Sequence, residues 1–335
     1  MSNTPILPYP WQEAAWSKLI YQNAKERLAH AYLFYGPTGI GKFDFVFNFS
    51  RYLLCNKPDK NNACGKCIDC KLHDSIHPNL KVLKPECNST EIKVDQVRIL
   101  TEFLSKTGHS GRLKICIIND ADRLNMNSTN ALLKTLEEPS GESILFLCSR
   151  FPGLLSPTLR SRCQKFALKE PNRKETLDWL KKNSSTAIEA KLFSIASENG
   201  PLKITELIES GRLEKQHNFI ANFLSLLIGK CAIQDTANSA IELGEHHSVD
   251  CLMQLLSKAM VVFLSNRVTD SNSSVESFVE ILKKSSLSRR DLAIVLFRYY
   301  DQVAQAYTEL NGSSNLNAKL IVESLIWQGS QLDLS

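Results

Sequence analysis

Along the first half of the chain, short apolar runs rich in β-branched and aromatic residues alternate with stretches whose apolar positions recur every three or four residues. The runs at 32–35, 80–83, 114–118, 144–148 and 164–167 have the length and composition of buried strands. Between them, Val94, Val97, Leu100 and Leu104 fall on one helical face, and Ala131, Leu132, Thr135 and Leu136 on another. The second of these helices has Asn125 or Asn127 as its cap and stops at Pro139. Strands separated by helices predict a parallel five-stranded sheet with helices on both faces, over residues 1–167.

Past residue 168 the strand runs cease. Helices are expected at 173–182, 187–197 and 202–209, with Asn199, Gly200 and Pro201 breaking the pattern before the last. They make a small helical domain over 168–210. From Gly211 to the end the reading is helical throughout, with apolar periods at Phe219, Phe223 and Leu227, at Leu252, Leu255, Leu256 and Met260, and at Ile281 and Leu282. Polar loops are expected at 271–274 and 311–315.

Composition narrows the class. The chain has 335 residues, 43% hydrophobic and 22% charged, which suits a folded protein of two or three domains and excludes a disordered chain. No apolar run reaches the roughly 20 residues of a membrane helix, since runs such as 259–264 soon end in polar residues. Residues 1–11 lack the basic start and apolar stretch of a secretory signal, so a cytoplasmic protein is expected. The net charge of +5 permits a nucleic-acid neighbour without requiring one.

Four of the ten cysteines crowd together as Cys55-x8-Cys64-x2-Cys67-x2-Cys70. Four thiolates at such spacings suit a tetrahedral zinc ion, with His73 and His77 near enough to compete. Four protein ligands leave no open position, so the Zn2+ is expected to be structural, pinning an insertion at about 55–77.

Gly36-Pro37-Thr38-Gly39-Ile40-Gly41-Lys42-Phe43 follows a strand and opens a helix, the setting of a phosphate-binding loop. Its last place needs a Ser or Thr hydroxyl for magnesium, and Phe43 has none. The strand at 114–118 runs into Asn119-Asp120-Ala121-Asp122, where nucleotide hydrolases carry Asp-Glu. Asn119 lacks the charge of the Asp it replaces. Asp120 is a methylene shorter than Glu and sits on alternating geometry that keeps it from taking the neighbour's part. Both lesions fall on one metal ion. The pattern implies descent from a nucleotide hydrolase whose ATP/Mg2+ binding is doubtful.

Four features together carry a family resemblance: the segment Leu159-Arg160-Ser161-Arg162-Cys163, the run from His30 to Phe34, the run from Ala131 to Pro139, and the cysteine cluster. The chain resembles the clamp-loader subunits of bacterial DNA polymerase III. These are AAA+ proteins that open the ring-shaped sliding clamp of the replicative polymerase. The resemblance covers nearly the whole chain and is weakest after residue 211. It implies an AAA+ core, a small helical lid and an all-α C-terminal collar that oligomerises. It also implies that the zinc ligands are the four cysteines and that His30 precedes the first core strand, where a packed core histidine is the default expectation.

In that family, five subunits form an open ring and each ATP site lies between neighbours. The arginine of Ser-Arg-Cys, here Arg162 between Ser161 and Cys163, reaches the next subunit's γ-phosphate. Arg160 is expected to be an exposed salt-bridging residue. The implied partners are gamma/tau and delta subunits, with the beta clamp and primer-template DNA reached through the complex. The gamma/tau branch keeps Lys-Thr and Asp-Glu where this chain has Lys42-Phe43 and Asn119-Asp120. The phrasing of His77-Pro78-Asn79-Leu80 and of Val94-Asp95-Gln96-Val97-Arg98 is that of a branch that does not hydrolyse ATP.

Two further marks belong to the nucleotide site. Ser149 stands where relatives place a polar residue that senses the γ-phosphate. Near Gly200, where active relatives place an arginine, only Lys203 is found. The competing reading is a gamma/tau-like ATPase that uses Asp120 or Asp122 for magnesium. A third, a zinc-dependent DNA-binding module, rests on the cysteines and charge alone, with Lys165, Lys169 and Arg173 as cations that could face DNA.

Overall fold

A computed structural model describes residues 8–73, 76–86, 91–106, 113–139, 141–183, 199–265, 274–311 and 317–332. The chain divides into two compact units, Met1–Pro171 and Asn172–Ser335.

The first unit is a five-stranded sheet of β1 (Ala31–Tyr35), β2 (Leu80–Leu83), β3 (Lys114–Ile118), β4 (Ser143–Ser149) and β5 (Gln164–Ala167). Its order is β2-β3-β4-β1-β5, and every pairing is parallel. This is the parallel five-stranded sheet, covered by helices on both faces, that the spacing of strands and helices predicts. Alternation along the strands splits the interior into two layers. Tyr32, Phe34, Phe146, Cys148 and Phe166 face one layer with Phe45 and Phe49 of α2 (Lys42–Leu54) and Trp16 of α1 (Glu13–Ala24). Ala31, Leu33, Cys116, Ile118, Leu145 and Leu147 face the other. There they meet α4 (Val94–Ser105), α5 (Met126–Glu137) and α6 (Pro157–Arg162). The short helix α3 (Ile68–His73) belongs to the cysteine insertion. Both faces are covered, which is why the strands read as continuous apolar runs.

Asn125 caps α5 by accepting a hydrogen bond from the Ser128 amide, settling the choice between the two candidate caps. The tie between β1 and β4 pairs Tyr35 with Ser149. Since β4 and β1 are neighbours in the sheet, the C-terminal ends of β1, β3 and β4 gather the phosphate loop, the acidic segment and Ser149 at one edge of the sheet, where ligands bind in open α/β folds.

The second unit is helical among its described residues: α7 (Arg173–Asn183), α8 (Pro201–Glu209), α9 (Leu213–Leu227), α10 (Ile233–Leu243), α11 (Glu245–Ser265), α12 (Ser274–Lys284), α13 (Arg289–Leu310) and α14 (Ala318–Ser330). The helix expected at 187–197 lies outside the described residues. Leu180, Ile204, Leu207 and Leu213 form a small cluster of their own. Contrary to the sequence expectation, α11 is long and apolar enough to cross a bilayer, with a mean hydropathy of 1.4 over its most apolar window. Val249, Leu252, Leu255, Leu256 and Ala259 are buried within the unit, the behaviour of a core helix.

Candidate functional site

The phosphate loop joins β1 to α2. Gly41 caps α2 at φ 75°, a left-handed conformation that costs glycine little. Gly36 is needed for space: a Cβ there would lie 2.5 Å from the Leu168 carbonyl oxygen and 2.8 Å from Ile40 Cδ1. Lys42 turns back on the loop, its Nζ donating to the carbonyls of Gly36 at 2.9 Å and Pro37 at 2.7 Å. Burial brings its ammonium down to about 8, partly opposed by the nearby Cys148, Asp122 and Asp120. Phe43, at the magnesium-ligand place, stacks on Phe47 with ring centroids 5.4 Å apart, and Phe47 lies 4.3 Å from the His73 ring. That place in the loop is therefore committed to packing.

At the end of β3, the Asn119 amide donates to the Leu83 carbonyl at 2.8 Å, and its side chain reaches Asp120 Oδ2 at 3.4 Å. Asp120 has a left-handed backbone and faces Arg150 Nε at 3.9 Å. Asp122 is more constrained. Its Oδ1 accepts from Ser149 Oγ at 2.5 Å and from the Phe151 amide at 3.2 Å, and its Oδ2 from the Arg150 amide at 2.8 Å. Burial raises its pKa, against the lowering effect of these donors. This carboxylate holds the end of β4 and ties Ser149 to a protein partner.

Arg162 is the last residue of α6, which Ser156 caps by accepting from the Leu159 amide. Its Nη2 pairs with Glu137 Oε1 at 2.5 Å, and its Nη1 donates to the Thr158 carbonyl at 3.0 Å. Its side chain keeps 34% of its surface exposed. The neighbours point differently. Ser161 is exposed and donates to Thr158 O, whereas Cys163 is buried in the core, where burial pushes its thiol up to about 12. Arg162 and the phosphate loop, far apart in sequence, lie in one compact unit.

Two expectations need correction. Arg160 is half-buried with no ion pair among the described residues, because α6 turns it toward protein instead of solvent. His30 is exposed, and its Nε2 lies 3.2 Å from the Leu136 carbonyl: it sits at the N-terminal end of β1, before the strand enters the core. Lys203 pairs with Glu206 at 2.6 Å on its own helix. Lys165 and Lys169 are exposed.

The Sγ atoms of Cys55, Cys64, Cys67 and Cys70 all lie within 4.8 Å of one another. Cys55 to Cys67 and Cys64 to Cys70 are each 3.9 Å. A tetrahedron of Zn–S bonds at about 2.3 Å has sulfurs about 3.8 Å apart, so the donor set fits a metal ion. The amides of Cys64, Cys67 and Cys70 point at the sulfurs of Cys55, Cys64 and Cys67 at 3.3, 3.3 and 3.4 Å, favouring thiolates. Such amides, from Lys66 and Cys67, hold the Cys64 thiol down to about 6. The histidines are engaged elsewhere. His73 Nε2 meets Ser50 Oγ at 2.8 Å, and His77 meets Asp69 at 3.3 Å while its Nδ1 accepts from the Asn79 amide. Arg51 on α2 donates to the Cys70 carbonyl at 3.1 Å, tying the insertion to the phosphate-loop helix.

Sequence reading overlooked one group. Trp11 Nε1 donates to the Ile40 carbonyl at 3.0 Å, and Gln12 Nε2 to the carbonyls of Ile40 at 2.7 Å and Gly41 at 3.0 Å. Tyr9 stacks on Trp11 and reaches Asp44 at 3.3 Å. Two aromatic residues and a glutamine just before a helix are the signal that was available.

A family model described as DNA polymerase III, delta subunit, matches residues 11–172. The chain is 38% identical over 236 residues to the DNA polymerase III subunit delta' of Pseudomonas aeruginosa, covering 69% of this chain and 70% of that protein. It is 36% identical over 193 residues to the subunit delta' of Escherichia coli, covering 57% and 58%. A solved gamma subunit-related protein from Thermotoga maritima aligns with 95% of this chain and 99% of its own at 18% identity and a TM-score of 0.36.

Proposed function

The chain belongs to the delta-prime family of DNA polymerase III subunits, and on that premise we propose that it serves the clamp loader as a subunit that hydrolyses no ATP itself and lends Arg162 to the neighbouring subunit's ATP site. One observation carries the reading: a single unit combines a phosphate loop lacking both magnesium ligands, Phe43 and Asn119, with a surface arginine on a capped helix end.

Phosphoryl transfer depends on positioned positive charge and bound magnesium. Phe43 supplies packing and Asn119 no charge. Asp122 accepts from Ser149 and from the amides of Arg150 and Phe151, which weighs against its use for magnesium in the gamma/tau-like alternative. Arg162 keeps a permanent charge and a planar fork suited to phosphate oxygens. Cys163 and Leu159, both buried, fix the helix end that carries it.

The rest of the reading follows the family. The partners are gamma/tau and delta subunits, with the beta clamp and primer-template DNA engaged by the complex, in the cytoplasm. Following the family, residues 168–210 serve as a lid and 211–335 as an oligomerising collar, with Leu180, Ile204 and Leu207 of the first packing on Leu213 of the second within one compact unit. Cys55, Cys64, Cys67 and Cys70 hold a structural zinc, which cross-links the insertion and takes no part in chemistry.

The test is a clamp loader reconstituted with gamma/tau and delta subunits and this chain, assayed for DNA-stimulated ATP hydrolysis. Arg162→Ala is expected to slow the adjoining site by roughly 10³-fold or more while leaving assembly intact. The bulk rate then falls by that site's share. An unchanged rate, or brisk magnesium-dependent hydrolysis by the isolated chain, overturns the proposal.

A further inference from the structure

Glu137 is the last residue of α5, directly before Glu138 and Pro139, in a segment whose chemistry the foregoing reading leaves unused. Its carboxylate lies 2.5 Å from Arg162 Nη2, although 25 residues separate the two positions. The meeting is built into the fold. Leu132 and Leu136 of α5 share one buried cluster with Leu159 and Cys163, so the helix ends that carry the two charges are held by packing beneath them. The α5 C-terminus adds the negative end of its helix dipole at the same place. The Thr158 carbonyl takes Nη1 at 3.0 Å.

We infer that Glu137 is a positioning residue that holsters Arg162, holding the guanidinium until the phosphate of an adjoining ATP site displaces the carboxylate. The inference rests on the role proposed for Arg162. Its physical basis is competition. A guanidinium engaged by Glu137 and Thr158 must give up those partners to present both Nη groups to phosphate oxygens in a fork. A triphosphate carries more negative charge than one carboxylate, so it wins once the neighbouring site is brought close enough. The pair is half-exposed on both sides, 34% for Arg162 and 50% for Glu137. Exposed pairs of this kind hold weakly, which suits a contact that must be released in every cycle. Glu137 therefore restrains hydrolysis in the loader that has not yet engaged clamp and DNA.

The experiment uses the reconstituted loader with this chain as wild type, Glu137→Gln, Arg162→Ala and the double variant, assayed for ATP turnover with and without clamp and primed DNA. Glu137→Gln is expected to raise the unstimulated rate about two- to five-fold, the size set by an exposed ion pair, and to lower the stimulation ratio by the same factor. Glu137→Asp keeps the charge on a shorter stem and should fall between. In the Arg162→Ala background the Glu137→Gln effect should vanish, which a merely structural role would not produce. Size-exclusion of each loader confirms assembly. An unstimulated rate that is unchanged or reduced in Glu137→Gln, or a rise that persists without Arg162, overturns the holster. If Arg162→Ala itself leaves the rate untouched, the underlying role of Arg162 falls instead, so the two failures are distinct.

Discussion

Gln12 Nε2 donates to the carbonyl oxygens of both Ile40 and Gly41, at 2.7 and 3.0 Å, so that a residue before the first helix fastens the phosphate loop from outside. Gln12 is 1% exposed, and its Oε1 also accepts from the Tyr9 amide. Gln12→Ala removes all three bonds, taking the side-chain acceptor from the Tyr9 amide and leaving Ile40 O to Trp11 and Gly41 O to the Phe45 amide. A loss of about 1–3 kcal/mol in urea-unfolding free energy is expected. Amide exchange at residues 36–41 should quicken with it. Trp11→Phe, which removes the bond to Ile40 and keeps a ring against Tyr9, should lose about 1 kcal/mol. Equal stability of Gln12→Ala and wild type would show that the loop holds itself.

Reversing one lesson of the phosphate loop should not restore its chemistry. Phe43→Thr supplies the hydroxyl but removes a ring from the stack with Phe47, which itself rests on His73. The expected cost is about 1–2 kcal/mol, below the full penalty for a core aromatic because Phe43 is half-buried. Isothermal titration with magnesium and ATP should show no binding gain from Phe43→Thr alone, since Asn119 still brings no charge. Metal-dependent binding is expected only when Asn119→Asp is added. Binding restored by the single change would mean that the acidic position is dispensable here.

The sheet was readable because its strands are buried on both faces. The runs at 80–83, 114–118 and 164–167 coincide with β2, β3 and β5. β1 and β4 extend beyond their apolar runs to Ala31, Ser143 and Ser149, small residues that carry no strand signal yet pair in the ladder. The cysteine cluster was legible for another reason: its ligands are local in sequence, and turns alone bring them together. What stayed hidden depends on topology. Asp122 meets Ser149 only because β3 and β4 are neighbours, and Glu137 meets Arg162 only because α5 and α6 share one layer. His30 was misjudged because adjacency to a core strand says nothing of which side of the first ladder bond a residue falls on.

His73 makes stability depend on pH. Burial, with Arg51 and His77 adding positive charge nearby, lowers it from 6.5 to about 3. The folded value lies below the unfolded one, so between these pH values the unfolded chain binds the extra proton and stability rises with pH. Acidification from about pH 6.5 toward pH 3 should therefore weaken the fold progressively. His73→Gln should flatten that slope. Urea unfolding of both proteins across this window, taken as a difference so that carboxylates and metal ligands cancel, measures the effect. Parallel curves would show that His73 does not contribute.

Metal removal should act on the insertion before it acts on the sheet. Zinc bound to four thiolates contributes folding free energy directly, and here the contribution would fall on an insertion that is otherwise tied to its surroundings by side-chain contacts such as Arg51 to Cys70, Trp16 to Asn61 and Ser50 to His73. Purified protein is expected to carry about one equivalent of zinc. Chelation, or Cys67→Ser, should lower the melting temperature and expose residues 55–73 to protease while β1 to β5 keep their far-ultraviolet signal. Less than about half an equivalent of metal in protein with all thiols reduced would remove the zinc assignment.

Gly36 offers a test of the loop that needs no ligand. A methyl group there would sit 2.5 Å from the Leu168 carbonyl oxygen, a backbone atom tied to Tyr35 through the Leu168 amide, and 2.8 Å from the flexible end of Ile40. The side chain of Ile40 can move aside, but the Leu168 backbone follows β5, whose ladder to β1 would have to shift with it. Gly36→Ala should therefore cost about 1–3 kcal/mol, the range for overpacking a close-packed site. Gly153, where an added Cβ meets nothing within 4 Å, is the matched control, and its alanine variant should stay within about 0.5 kcal/mol of wild type. Comparable unfolding free energies for the two variants would mean that the end of β5 yields easily, and that the phosphate loop is not clamped between the strands as the geometry requires.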